Sequence, residues 1–321
     1  MKRFEKALPY SIDMVIPGYE KSYPKGIFKV LTPIQRDSQE WYHQFVAEIQ
    51  SAIGRKYLPV CRMGDGVLVF AIGRFIPFIR GSKEKLVPYI KRLLVSLLHR
   101  GINRLRGGIN FSIGMGDLGF AEYSKLEWKS LRQTFGAALQ EIGKLGFLCP
   151  FLSYRDNQLA QQYYVPFIKW LKSNEITLDQ KNYYPFYFVY ALLNGPDRGI
   201  ILGQKRILVI TTLDRNKEIK IEKALKAEGA EYVQFINVKK SRTMFDKLNL
   251  EKIQLPVDVC LIAAGMGTAQ LLLQLKSTGT LCLDAGWAME AIFDPEKHRS
   301  HNGARSFCWA DFERNGDYTP L

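Results

Sequence analysis

One stretch of this chain restricts its fold more than any other: Val257–Ile292, VDVCLIAAGMGTAQLLLQLKSTGTLCLDAGWAMEAI. Val257 to Ala264 is a short apolar run with β-branched residues, the pattern of a strand buried on both faces. Gly265-Met266-Gly267-Thr268 interrupts it, and Ala269 to Lys276 has helical composition with little polarity, so this helix is expected to pack on a sheet. Ser277-Thr278-Gly279 ends the helix, Thr280 to Leu283 starts a second strand, and Asp284-Ala285-Gly286 stands where that strand stops. In an open parallel sheet the carboxyl ends of the strands form the ligand crevice, so the Gly265–Thr268 turn and Asp284 are expected on one rim. The glycines admit two readings, turning alone or close approach of backbone to a ligand. A dinucleotide fingerprint is the weaker form of the second, because Gln270 stands where G-x-G-x-x-G needs its third small residue.

Upstream, Gly203–Arg206 turns into an apolar run Ile207–Ile210, Lys217 to Glu228 is helical with Gly229 after it, Glu231 to Val238 is a strand, and Phe245 to Leu250 a short helix. From residue 205 to 285 strands and helices alternate, which specifies a Rossmann-like α/β half with a mostly parallel sheet flanked by helices. Further back, Asp37-Ser38-Gln39-Glu40 opens a helix with Trp41, Phe45, Ile49 and Ile53 at helical spacing, ended by Gly54. Glu127–Leu145 and Asn157–Lys172 are helical, and Phe147–Leu152 is a strand. Residues 1–35, with four prolines, read as an irregular lead segment, 36–293 as the α/β domain, and 294–321 as a tail.

Leu58–Phe70, LPVCRMGDGVLVF, is the second informative stretch. A strand at Pro59-Val60-Cys61 runs into Arg62-Met63-Gly64-Asp65-Gly66, read as a tight charged turn. The planar fork of Arg62 suits phosphate, and Asp65 suits a divalent cation bridging a diphosphate. The same residues also make a plain turn in which Asp bonds its own backbone. Asn110–Gly119 repeats the look of this loop at Gly116-Asp117. Asn182–Asn194, NYYPFYFVYALLN, reads either as core filling or as an aromatic wall for a base or sugar. Ser82–Arg106 is basic and amphipathic, which suits a core helix with a solvated face or a helix lying on a membrane surface.

The chain of 321 residues carries 45 Lys plus Arg against 31 Asp plus Glu, a net charge of +14. That excess favours an anionic partner, whether phosphorylated ligand, anionic lipid or nucleic acid. No nucleic-acid motif accompanies it, and nucleic acid is not the expected partner. The five cysteines are far apart with no C-x-x-C pair, which argues against zinc and thioredoxin-like chemistry. His298 and His301 read as loop residues rather than metal ligands. No signal-peptide pattern or run of about 18 apolar residues is present. The expected location is the cytoplasm, with peripheral contact at an anionic inner-membrane face as a further option.

Taken together, the two glycine turns resemble the GT-D family of bacterial glycosyltransferases, a group once classed as a domain of unknown function. Its members carry R-x-G-D-G-E after a strand, and here Arg62-Met63-Gly64-Asp65-Gly66-Val67 stands at that motif. They carry a later G-P-T-A turn, a helix and D-x-G-H, and here Gly265-Met266-Gly267-Thr268-Ala269 and Asp284-Ala285-Gly286-Trp287 look like those positions. The resemblance spans roughly residues 40 to 293. It implies a GT-D-like fold and transfer of a sugar from a nucleoside-diphosphate sugar to a glycan, lipid-linked or protein acceptor. It implies a divalent cation, Mn or Mg, held through a D-x-E element. Asp65 matches the first acid and becomes the expected catalytic and metal residue. Val67 replaces the second acid and Trp287 replaces the histidine, with Asp117, Asp284 and Glu290 as substitute ligands. Arg62, Gly64, Gly66, Gly265, Gly267, Thr268, Asp284 and Gly286 are the expected substrate-binding residues. A nucleotide-sugar-binding module without catalysis is the alternative, motivated by the missing acid.

Overall fold

The computed structural model describes residues 10–14, 28–72, 125–150, 158–239, 243–254 and 256–294. The basic segment 82–106, the loop 110–119 with Asp117, Ser241, His298, His301 and the tail beyond Asp294 lie outside the described residues. Within the lead segment, β1 (Tyr10–Met14) and β2 (Phe28–Thr32) pair antiparallel, Tyr10 opposite Thr32. This part of the lead is therefore a two-stranded ribbon, not irregular chain.

Six strands form one all-parallel sheet: β3 (Leu58–Met63), β4 (Phe147–Pro150), β5 (Arg206–Thr211), β6 (Tyr232–Asn237), β7 (Val259–Ala263) and β8 (Leu281–Asp284). Their order across the sheet is β4-β3-β8-β7-β5-β6. The flanking helices are α1 (Ser38–Ala52), α2 (Asp65–Ile72), α3 (Lys125–Leu145), α4 (Gln158–Ser173), α5 (Phe186–Asn194), α6 (Arg198–Leu202), α7 (Arg215–Ala227), α8 (Thr268–Gln274) and α9 (Ala288–Phe293). The fold is α/β and Rossmann-like. β3, β4, β7 and β8 are buried along their whole length or nearly so, which is why, Arg62 and Asp284 apart, their sequences are apolar runs rather than alternating ones.

Connection handedness assigns the helices to faces. The crossings β3–α3–β4 and β7–α8–β8 travel one way across the sheet, and β5–α7–β6 travels the other. Right-handed crossovers then put α3 and α8 on one face and α7 on the opposite face. Contacts agree: Gln270 Nε2 of α8 donates to Thr134 O of α3 at 3.0 Å, while α9 lies against α7 and α5.

The elements follow from local chemistry. The Asp37 side chain caps α1 by accepting from the N–H of Gln39 and Glu40, each at 3.0 Å. Trp41, Phe45, Ile49 and Ala52 recur every three or four residues and are buried. Asp214 likewise caps α7, accepting from Lys217 N–H at 3.1 Å. Trp41, Phe45, Phe147, Tyr184 and Phe188 pack ring against ring between α1, β4 and α5. The aromatic segment 182–194 is thus largely core. Fully burying one such side chain contributes about 1.5–3 kcal/mol.

Two further expectations are corrected. Arg62 to Gly66 is not a tight turn: Arg62 and Met63 belong to β3, and Asp65 and Gly66 open α2. Phe245–Leu250 is not a helix; a turn at 243–245 and a 3₁₀ turn at Leu250–Lys252 stand there. The short helix α6 had no counterpart in the sequence reading.

Candidate functional site

The crevice is set by where the chain leaves the sheet. After β3 and β7 it passes to the face of α3 and α8. After β8, which lies between them, it passes to the face of α5 and α7. The carboxyl end of β8 is therefore where the chain leaves the sheet toward opposite faces on neighbouring strands, the expected ligand position in an open parallel sheet.

There Arg62 and Asp284 form a buried clamp, each about 6% exposed. The Arg62 backbone N–H donates to Asp284 Oδ2 at 3.1 Å, Nε donates to the Asp284 carbonyl at 2.7 Å, and Nη2 donates to Oδ1 at 3.4 Å. The guanidinium carbon lies 5.0 Å from the Phe186 ring centre and 4.8 Å from that of Tyr190. Phe186 and Tyr190 are one helical turn apart on α5, so both rings meet one cation. Burial opposes the Arg62 charge, but Tyr190 and Asp284 outweigh it and raise its pKa above its ordinary value. Burial likewise lifts the Asp284 carboxyl above its ordinary value, with Arg62 pulling the other way. Arg62 Nη1 is buried and has no hydrogen-bond partner among the described residues.

Gly286 completes the clamp. Its φ of +40° falls in the region that favours glycine, and a Cβ there would overlap Arg62 Nη2 and stand 3.1 Å from Cζ and 3.3 Å from Asp284 Oδ1. The N–H groups of Ala285 and Gly286 both donate to Ile262 O of β7, at 2.8 and 2.9 Å. The turn after β8 is thereby tied to both neighbouring strands.

The helix α2 lies against the Gly265–Gly267 turn. The two glycine motifs, about 200 residues apart, are neighbours in space. Gly64 is half-buried, and a Cβ on it would stand 3.6 Å from Phe186 Cε2. Asp65 is the first residue of α2 and Gly66 the second. Gly265 has φ +59° and open space where a side chain would go. Gly267 is different: a Cβ on it would overlap the Thr243 carbonyl, so close packing of the 243–245 turn requires glycine there. Thr268 is buried, and its Oγ1 has no hydrogen-bond partner among the described residues.

Several residues of this site went unassigned in the sequence. Phe186 and Tyr190 were read only as part of an aromatic run; their four-residue spacing was the available signal. Thr243 carried no signal. Trp287 was noted only as a departure from a family motif, yet it is 48% exposed beside buried Ala285 and Ala288.

A cation cage is not assembled from the described side chains: no group of three His, Cys, Asp or Glu is found among the described residues. Asp284 is engaged by Arg62 at both oxygens, and Val67 packs against the core. Asp65 stands at the β3–α2 junction, as the first residue of α2. A separate cavity of about 670 Å³, lined by Gln50, Arg55, Gly203, Gln204, Lys205 and Glu228, lies at the amino-end rim, away from these motifs.

Fold and site together define an open α/β protein whose six-stranded parallel sheet carries a buried Arg62–Asp284 clamp at the carboxyl end of a central strand. A solved structure described as a selenomethionine-substituted domain of unknown function 1792 (DUF1792), the former designation of the GT-D family, is similar at 14% identity and a TM-score of 0.41. The match covers 83% of this chain and 92% of that one. A likeness of that size carries no argument about fold or activity. No family model and no curated protein matches the chain. Among the described residues no helix is long and apolar enough to cross a membrane.

Proposed function

We propose that this chain is a glycosyltransferase that takes a sugar from a nucleoside-diphosphate donor to a glycan, lipid-linked or protein acceptor. The observation that carries the reading is the meeting of the two glycine motifs at one cleft, Arg62 bonded to Asp284 and α2 lying against Gly265–Gly267. In the reaction the acceptor hydroxyl oxygen bonds to the anomeric carbon and its proton passes to the departing diphosphate or to water. The carbon's bond to the diphosphate oxygen breaks, and the nucleoside diphosphate leaves with the electron pair. A cleft for this step must meet charge growing on the leaving diphosphate. The Gly265 backbone, open on its Cα side, and the start of α2 provide backbone donors of the right type. Asp65 is assigned to the sugar or to a cation held chiefly by the diphosphate, which when bound adds further charge stabilisation. Arg62 braces the loop instead of gripping phosphate with its whole fork, since Nε and Nη2 are engaged by Asp284. Asp284 holds Arg62 in turn.

Turnover of a panel of nucleotide-sugar donors tests the reading, with Asp65→Asn beside wild type. Asn keeps the shape and removes the charge. Activity is expected to fall by orders of magnitude with little change in melting temperature. Wild-type turnover in Asp65→Asn would overturn the assignment. A second reading, a nucleotide-sugar-binding module without catalysis, is favoured by one observation, the apolar Val67 packed on the core where a second acid would stand. Donor binding without transfer or hydrolysis would select it.

A further inference from the structure

The cavity of about 670 Å³ at the amino-end rim has no part in the clamp, and its size is that of a small-molecule site. It lies where three helices stop: Gln50 of α1 and Arg55 just after it, Gly199 of α6, and Glu228 after α7 line it, with Gln204 and Lys205 from the lead into β5. The backbone that carries these side chains is bonded into the fold. Arg55 N–H donates to Ala52 O at 3.1 Å, Glu231 N–H to Lys205 O at 2.9 Å, and Gln204 N–H to Gly229 O at 2.8 Å. Gln204 takes φ +54° there, a left-handed conformation that residues with side chains rarely adopt. At Gly199 neither a positive φ nor a neighbour within 4 Å requires glycine. Glycine, which a helix disfavours, keeps that part of the lining bare.

The charges of the lining do not cancel. Glu228 is met by Arg198, whose Nε lies 2.9 Å from Oε2. Asp258 stands beside Gly54, and its Oδ2 accepts from Arg206 N–H at 2.8 Å. Arg55 and Lys205 form no ion pair among the described residues. Helix ends present carbonyls, which oppose an anion. Here Ala52 O accepts from Arg55 N–H, Gly199 O from Gly203 N–H and Gly229 O from Gln204 N–H, so backbone donors already occupy them. We propose that this cavity binds a phosphorylated sugar or polyol, at the opposite end of the strands from the clamp. A phosphomonoester carries a charge of about −1.5 to −2 at pH 7, which two cations match and a single carboxylate would not. The planar fork of Arg55 suits two phosphate oxygens, and Lys205 adds a point charge. The amides of Gln50 and Gln204 both donate and accept, as hydroxyl groups on the rest of the ligand require.

Calorimetric titration of the full chain tests this, with glucose 6-phosphate, glycerol 3-phosphate, gluconate and inorganic phosphate as probes. At least one of the two phosphate esters is expected to bind saturably. Gluconate keeps the hydroxyls with a single charge, and inorganic phosphate keeps the charge without the hydroxyls. Each is expected to bind at least about 10-fold more weakly than the better ester, the loss of one charge-assisted hydrogen bond or more. Arg55→Gln and Lys205→Gln should each weaken the ester about 10- to 100-fold, the worth of one hydrogen bond to a charged group. Far-UV circular dichroism should show both variants folded as wild type, and Lys205→Arg should keep most of the affinity. Asp65→Asn, at the other end of the sheet, should bind the ester as wild type does, which separates this site from the donor reading. Wild-type affinity in both Gln variants would overturn the proposal. So would failure of both esters to bind at millimolar concentration, or gluconate or inorganic phosphate binding as tightly as the ester. Loss of ester binding in Asp65→Asn with affinity kept in the Gln variants would move the ligand to the clamp and overturn it too.

Discussion

Gly286→Ala is the sharpest perturbation of the cleft. The alanine would hold φ near +40°, and a left-handed conformation costs a non-glycine residue about 1–2 kcal/mol. Its Cβ would also occupy the place of Arg62 Nη2. An exposed arginine would swing aside, but this one donates Nε to Asp284 O at 2.7 Å and lies between Phe186 and Tyr190. Displacing it leaves Asp284 buried without its partner, and breaking a buried ion pair in that way costs about 3–5 kcal/mol. The two terms together give a destabilisation of about 4–7 kcal/mol. Gly265→Ala is the matched control. It meets the same backbone strain at φ +59° with nothing within 4 Å of the added methyl, so it should cost about 1–2 kcal/mol. Urea unfolding followed by far-UV circular dichroism reads both, with the midpoint moving and the slope unchanged. Equal destabilisation by the two variants would refute the clamp argument, because strain alone would then account for Gly286.

Two further outcomes follow from burial. Val67→Glu puts a carboxylate on a residue that packs against the core, so it should lower the melting temperature by several degrees, with manganese restoring more of the loss than it adds to wild type; an unchanged melting temperature would show that Val67 does not pack as described. Burial raises the thiols of Cys61, Cys149 and Cys282 above their ordinary value of 9.0. Folded-state values above unfolded ones favour the native state fully below the unfolded pKa, and that contribution is lost as pH rises past about 9, where only the unfolded thiols ionise. Melting temperature should therefore fall above pH 9, and iodoacetamide at pH 8.5 should leave these three cysteines unlabelled until urea is added. Labelling of the native protein at the unfolded rate would contradict it.

Much of the sheet was legible because parallel strands buried on both faces are written as unbroken apolar runs. β5, β7 and β8 could be placed that way, and the glycines and Asp284 then fell at strand ends by position alone. What could not be read was determined by distant partners. Nothing near Arg62 announces a carboxylate 222 residues away, nor the two rings of α5 that hold the guanidinium. Gly64-Asp65-Gly66 looked like a turn because glycine opposes helix, yet the apolar run after it packs as α2 and carries its first residues into the helix. Phe245–Leu250 failed in the opposite sense. Gln274 Nε2 donates to the Asp246 carbonyl at 3.0 Å, and Leu248 N–H donates to Gln274 Oε1 at 2.8 Å, so a side chain takes the backbone bonding that a helix would use.

The position of β8 bears on how the chain is made. Among the described residues it is the last strand in sequence and a central one in space, pairing Leu281 with Leu58 of β3 on one side and with Val259 of β7 on the other. Until it arrives, β4-β3 and β7-β5-β6 have no strand between them, and two apolar strands stand with unsatisfied edges. A ribosome must therefore release the chain through Asp284 before the sheet can close. Pairings this distant in sequence slow folding, and the nascent protein is exposed to aggregation through those edges for the length of its synthesis. Truncation before residue 280 would leave two fragments of sheet rather than a shortened protein.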